Sequence, residues 1–336
     1  MKIKSLLALV VLVSSFALTQ AGTSNLGTAG GTDLRIPIGA MGTSLSGALV
    51  GDVTGVDAIF WNPAGVAYGK DNEALLGNMQ YFADMKVNMF GYAHNLGRMG
   101  SIGIAVRMLS IGDLYVTTDY APEGTGEIIN PTFTTVTFNY ARIMTDRVSI
   151  GFNAHLKQEK IKDMIATGYL FDFGVRVQTP MEGLRFGVVM KNFGPQMQYD
   201  GDGGEFHSNL PGDEPNADNR VTTLEFAKSD LPSTFQFGLA YDLVSDPINN
   251  LTLMATYQGN DFSADEYRFG MEYSFANMFF LRSGYVTADQ EDYLYGYSLG
   301  GGLRLNLGAN NLYVDYSYNP MEYFDANQWY TFRFTF

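Results

Sequence analysis

The chain has 336 residues, no cysteine and a formal net charge of −14. The lack of cysteine excludes disulfide staples, thiolate metal sites, a cysteine nucleophile and the lipidated cysteine of a lipoprotein, and an acidic balance without a basic stripe speaks against a nucleic-acid partner. High counts of tyrosine (21), phenylalanine (24) and glycine (38) lean towards membrane-facing strands joined by tight turns.

In chain order, Met1-Lys2-Ile3-Lys4 is followed by an apolar run from Leu6 to Val13 and by small residues up to Thr19-Gln20-Ala21. This is the order of a secretory signal peptide, expected to occupy residues 1–21 with cleavage after Ala21. The run is shorter than the roughly 20 residues a helix needs to cross a bilayer. Residues 22–72 do not alternate and carry small side chains, as in Gly39-Ala40-Met41-Gly42-Thr43-Ser44-Leu45-Ser46-Gly47-Ala48, which allow close backbone packing in a confined space. Leu34 to Ile38 and Ala58 to Ala67 are too apolar for a solvated tail, and Asn62 before Pro63 suits the start of a helical turn. An N-terminal plug inside a barrel lumen is the expectation for this segment.

From residue 73 to 336 the chain alternates with period two, the mark of strands with two differently solvated faces. Tyr330, Phe332, Phe334 and Phe336 oppose Thr331, Arg333 and Thr335; Tyr267, Phe269, Met271 and Tyr273 oppose Arg268, Gly270 and Glu272. Strands are predicted near 73–81, 87–95, 100–110, 133–142, 147–158, 166–178, 183–192, 233–242, 251–258, 266–273, 278–286, 293–305, 311–318 and 328–336, the first three with the least clear alternation. The expected fold is therefore all-β, a transmembrane antiparallel barrel of about 14 strands in contact with outer-membrane lipid. The longest links, Gly112 to Pro131 and Phe193 to Pro232, fall on odd-numbered connections, where an even barrel carries its outer loops, and the even connections are compact.

The stretch Leu34 to Gly42, then Asp57-Ala58-Ile59-Phe60-Trp61-Asn62-Pro63-Ala64-Gly65-Val66-Ala67, ahead of an all-β remainder, resembles the PorV/PorQ family of outer-membrane proteins, a branch of the FadL-type barrels. The resemblance implies fourteen strands with an N-terminal hatch held by Trp61, Asn62, Pro63, Ala64 and Gly65. It further implies a role in type IX secretion, with secreted cargo proteins and other secretion-system components as partners. The terminal Phe336 resembles the C-terminal aromatic read by the barrel-assembly machinery. The alternative is a FadL-type channel for hydrophobic small molecules, and a third reading is a purely structural porin-like protein.

With the apolar faces outward, Arg107, Lys157, Arg176, Arg185, Lys191, Arg268, Arg282, Arg304 and Arg333 point inward and outnumber Asp172, Asp242, Glu272 and Asp315. An unpaired charge in a narrow lumen is costly, so these cations are expected to meet plug carboxylates such as Asp33, Asp52 and Asp57; attraction of an anionic substrate is the other reading. His94, His155 and His207 lack metal-ligand spacing, and Ser149, Asn153 and His155 read as polar lumen lining. No catalytic residue, metal or cofactor is expected. Gly300-Gly301-Gly302 reads as a strand kink. Asp200, Asp202, Glu205, Asp213, Glu214, Asp218, Glu225 and Asp230 read as a solvated loop without the spacing of an EF-hand.

Overall fold

A computed structural model describes residues 27–69, 71–208, 220–290, 293–321 and 324–336. The expected signal peptide, and Asp213, Glu214 and Asp218 of the acidic loop, lie outside the described residues. The chain forms a closed antiparallel barrel of 14 strands. These are β1 (Glu73–Gln80), β2 (Lys86–Asn95), β3 (Ser101–Ser110), β4 (Thr132–Ile143), β5 (Val148–Ile161), β6 (Met164–Gln178) and β7 (Leu184–Phe193). They continue as β8 (Thr234–Ser245), β9 (Asn249–Asn260), β10 (Glu266–Phe275), β11 (Phe279–Ala288), β12 (Tyr297–Leu307), β13 (Asn310–Asn319) and β14 (Asn327–Thr335). Each strand pairs with its sequence neighbours, and β1 pairs with β14 from Glu73↔Thr335 to Gln80↔Gln328, which closes the ring. Closure removes the unpaired edges that a bilayer cannot solvate.

The outer face is the apolar one. Phe235, Phe269, Leu281, Tyr285, Tyr330 and Phe332 are each half or more exposed to the surroundings, or close to it, while the residues between them turn inward. Phe269 sits mid-strand opposite Ala255 and Tyr285. Its replacement by arginine is expected to destabilise the barrel by about 2–4 kcal/mol if its ring lies near the bilayer midplane. The check is a lower urea midpoint in phospholipid vesicles than for the parent chain.

The weak alternation of β1 to β3 has a simple cause. Leu75, Met79, Val87, Met89, Ala93, Ala105 and Leu109 point inward and are buried in one apolar cluster with Ile38, Leu45, Val56, Ile59, Trp61 and Trp329. Both faces of these strands are thus apolar, one against lipid and one against the N-terminal segment.

Three sequence expectations are corrected. The fifth connection is odd-numbered yet is only the turn at Lys162, which has φ 52°, and Asp163, because the 14-residue β5 and 15-residue β6 continue their ladder beyond the other strands. There the chain that would have been loop is strand, capped by an exposed Lys162–Glu127 ion pair at 2.8 Å. The twelfth strand starts at Tyr297 rather than near 293, since residues 293–295 turn in over the barrel mouth. Gly300, Gly301 and Gly302 lie in an unbroken ladder with β13, with no register shift. They make room rather than a kink: a Cβ on Gly300 would overlap Ser44, and one on Gly302 would overlap Asp315 beside Arg282.

Candidate functional site

Residues 30–69 pack against inward-facing side chains of the strands and are folded as short turns rather than long helices. They include α1 (Ala40–Ser44), α2 (Ala58–Trp61) and a 3-10 stretch over Pro63–Tyr68. Small residues dictate this path. Gly42 lies against the Trp61 ring, where any side chain would overlap the indole, and Gly39 (φ 81°) and Gly47 (φ 77°) adopt the left-handed backbone that ends one turn and begins the next.

Asn62 organises the second half of the segment. Fully buried, it caps the 3-10 stretch by accepting from the Ala64 N–H (3.1 Å) and donates through Nδ2 to the Val50 carbonyl (2.9 Å) and to Val175 of β6 (3.2 Å). Pro63 occupies the first helical position, where its missing N–H leaves no orphan donor. Ala64 offers its carbonyl to Ser149 Oγ (3.1 Å), and Asn153 Nδ2 donates to the Ile59 carbonyl (2.9 Å). The Trp61 indole donates to the Ile38 carbonyl (3.0 Å), tying the two halves of the segment together.

The wall meets this segment through a girdle of inward glycines on consecutive strands: Gly151, Gly174, Gly187, Gly238, then Gly270, Gly284 and Gly300. A Cβ on Gly238 would come within 2.8 Å of Val50 Cβ, and one on Gly174 within 2.8 Å of Pro63 Cδ. The alternation pattern places several of these glycines on the inward face, but as neutral spacers. That they form a contact surface for a segment more than 80 residues away in sequence has no local signal.

The inward cations are distributed around that segment. Arg107 donates to Asp33 (3.0 Å), and Lys157, with no exposed side-chain surface, bridges Asp33 and Glu159 (3.2 Å). Arg185 reaches Asp52 (2.6 Å) and Asp242 (2.6 Å), with Arg176 also facing Asp52 at 3.6 Å. Arg333 pairs with Asp57 (2.8 Å) and lies over the Tyr313 ring. Arg282 pairs with Glu272 and Asp315, both at 2.5 Å, and Arg268 with Glu266. Lys191 donates to the Phe60 carbonyl (2.6 Å) beside the Trp61 ring, and Arg304 to Asn311 (3.0 Å). His155 faces Asp172 at 2.8 Å and Thr137 at 2.8 Å, well apart from Ser149, which is committed to Ala64. His94 meets Asn72 (2.6 Å) at the other end of the barrel. Phe336 lies on the outside, stacked on Phe334, with its backbone paired to Asn72.

Space remains on both sides of the segment. At the loop side a chamber of about 280 Å³ lies among Ile36, Pro37, Tyr81, Arg268, Tyr293 and Tyr295, bordering a cavity of about 90 Å³ walled by Trp61, Lys191, Thr234 and Gln236. At the turn side a chamber of about 260 Å³ lies among Leu49, Val53, Phe280, Arg304, Tyr313 and Arg333. Burial, aided by the nearby Glu266 carboxylate, raises the Tyr293 phenol above its ordinary range at the roof of the loop-side chamber. The Tyr81 and Tyr295 hydroxyls meet at 2.9 Å.

A closed antiparallel barrel of 14 strands with an apolar outer face and an ion-paired inner wall defines the fold class of this protein. No family model and no curated protein sequence matches the chain. Among solved structures it is similar to the CymD monoaromatic hydrocarbon channel over 90% of this chain and 98% of that one, with a TM-score of 0.57 and 11% identity. It is similar to the Pseudomonas putida toluene transporter TodX over 88% and 96% (TM-score 0.57, 12% identity), and to a Pseudomonas aeruginosa FadL homologue over 89% and 98% (TM-score 0.54, 10% identity). At such identities the likeness is one of fold, and the fold is that of a FadL-like barrel.

Proposed function

We propose that this chain is an outer-membrane channel that admits small hydrophobic molecules, with residues 27–69 as its hatch and the Trp61-to-Gly65 turn as the hatch's anchor. The observation that carries this reading is the pair of chambers on opposite sides of one segment. A purely structural barrel would have no need of partly apolar chambers lined by aromatic rings, and a general porin would keep an aqueous lumen. The hatch is held by discrete hydrogen bonds and ion pairs rather than by a continuous β-ladder, so it can shift without opening the barrel wall. That the structural neighbours include a hydrocarbon channel and a toluene transporter favours the same reading. Uptake of toluene and of p-cresol into protein-bearing vesicles, compared with empty vesicles, tests it: accumulation of both at the rate of the empty vesicles removes the channel reading.

The Trp61-Asn62-Pro63-Ala64-Gly65 turn, with its resemblance to PorV/PorQ proteins, favours a second reading, in which the outer loops engage secreted cargo and secretion-system components. Deletion of the gene followed by comparison of secreted and periplasmic proteins separates the two. Cargo retained in the periplasm would support the secretion role, and unchanged secretion would remove it.

A further inference from the structure

Three side chains lining the small loop-side cavity are more than nine-tenths buried and carry a polar atom with no partner among the described residues: Thr135 Oγ1, Thr234 Oγ1 and Gln236 Oε1. Native interiors leave few such groups, because each costs about 1–3 kcal/mol when left unsatisfied. Gln236 is the most informative of the three. Its Nε2 donates to Gln258 Oε1 (2.7 Å), Gln258 Nε2 donates to Asn260 Oδ1 (2.8 Å), and Asn260 Nδ2 donates to the Ala264 carbonyl (2.7 Å). All three amides therefore point their dipoles the same way along a chain that runs up the wall. Donation at each link polarises the next, so the first oxygen, Gln236 Oε1, is a strengthened acceptor without a donor among the described residues. An acceptor in this position asks for an O–H or N–H. A carboxylate has no proton to give and would be repelled by it.

The cavity's cations do not change that preference. Arg107 and Arg268 are engaged by Asp33 and Glu266, and Arg35, which lines both spaces, faces Glu266 at 3.7 Å. Lys191 is spoken for in part by the Phe60 carbonyl, which leaves it able to donate to a neutral oxygen as well. Thr135 and Thr234 line the same cavity, and a threonine hydroxyl can donate or accept. Polar lining at one end thus offers an acceptor together with several donors, the complement of a hydroxyl group. At the other end, the adjoining chamber presents Ile36, Pro37, Val286 and the rings of Tyr81, Tyr293 and Tyr295. Its 280 Å³ exceeds the roughly 150 Å³ in which a benzene ring is known to fit, whereas the 90 Å³ of the lower cavity suits only a substituent.

We propose that these two joined spaces form a binding site for a hydroxylated monoaromatic compound of the phenol class, with the ring against Ile36 and Pro37 and the hydroxyl donating to Gln236. This deepens the channel reading and rests on it, since it assigns the kind of solute the loop-side chamber takes from outside. A site built to hydrogen-bond a hydroxyl discriminates against the analogue that lacks one, because its own polar groups are then stranded.

The test is calorimetric titration of the full chain in lipid nanodiscs with p-cresol, toluene and p-toluate, with the heats of empty nanodiscs subtracted. Binding of p-cresol about tenfold or more tighter than either analogue is expected. Gln236→Leu should bring p-cresol down to the toluene value, and Thr234→Val should lower it by a smaller factor, with heat-modifiable migration on gels confirming that each variant is folded. Equal binding of the three compounds, no binding of any, or a preference that survives both substitutions overturns the assignment. Vesicle uptake separates this from failure of the channel reading. Toluene and p-cresol entering equally well leaves a channel without this site, while p-cresol binding in nanodiscs without uptake of either leaves the site and removes the channel.

Discussion

Replacement of Asn62 by leucine is expected to free the interior segment from the wall while leaving the barrel closed. The side chain is fully buried and makes three hydrogen bonds, one capping its own turn, one to Val50 in the segment and one to Val175 on β6. Leucine keeps the branching but its methyl groups are bulkier than the amide, so crowding against Gly174 and Gly187 adds to the loss of hydrogen bonding. With about 1 kcal/mol for each bond and more for the Ala64 N–H left without an acceptor in a dry site, the local cost is on the order of 3 kcal/mol. None of that cost falls on the barrel ladders, which close through β1 and β14 independently of the segment. The expected result is a larger and noisier single-channel conductance in planar bilayers, together with protease cleavage between residues 27 and 69. Heat-modifiable gel migration should stay that of the parent. Parental conductance and protease resistance in a folded Asn62→Leu chain would show that this asparagine is not the anchor.

The second large effect is expected at Asp57. Its carboxylate meets Arg333 at 2.8 Å, and burial pushes the Asp57 carboxyl above its ordinary range although Arg333 pulls it down. The balance matters because Arg333 lies in the last strand, inside a region where it also faces the Tyr313 ring. Asp57→Leu removes the partner of a part-buried guanidinium, 15% exposed on the turn-side chamber, a change that costs less than the roughly 3–5 kcal/mol of fully buried pairs. The double variant Asp57→Leu with Arg333→Met removes both charges and is expected to recover most of that loss. Measured as urea midpoints in vesicles, the four chains of this cycle should give a coupling of more than about 1 kcal/mol, since the two groups are in direct contact. Simple additivity of the two single changes would mean that the pair contributes nothing to holding the segment.

Both outcomes bear on function. Asn62 is bonded to the strand β6 side of the ring and Asp57 to the β14 side, so the segment is held at two well-separated points of the wall. A segment held at both points would respond to the loss of either with increased conductance, which the same bilayer recording reads.

What the sequence by itself determined is the outside of this molecule. Lipid imposes the same demand on every strand, so Phe235, Phe269, Phe332 and their like recur with period two, and strand count and barrel class follow from a local pattern. The excess of arginine and lysine over acids on the opposite faces is legible for the same reason, as a charge has nowhere else to go. Tertiary structure alone decided what fills the inside. The inward faces of β1 to β3 are apolar because they pack on Ile38, Val56, Ile59 and Trp61, and that hid their alternation. The glycine girdle from Gly151 to Gly300 matters because Val50, Pro63 and Ser44 come within van der Waals overlap of it. The amide chain from Gln236 to Asn260 exists because β8 and β9 set Gln236 opposite Gln258. In each case the partner lies on another strand or in the distant N-terminal segment, and a periodicity of two residues carries no information about contacts made across the barrel.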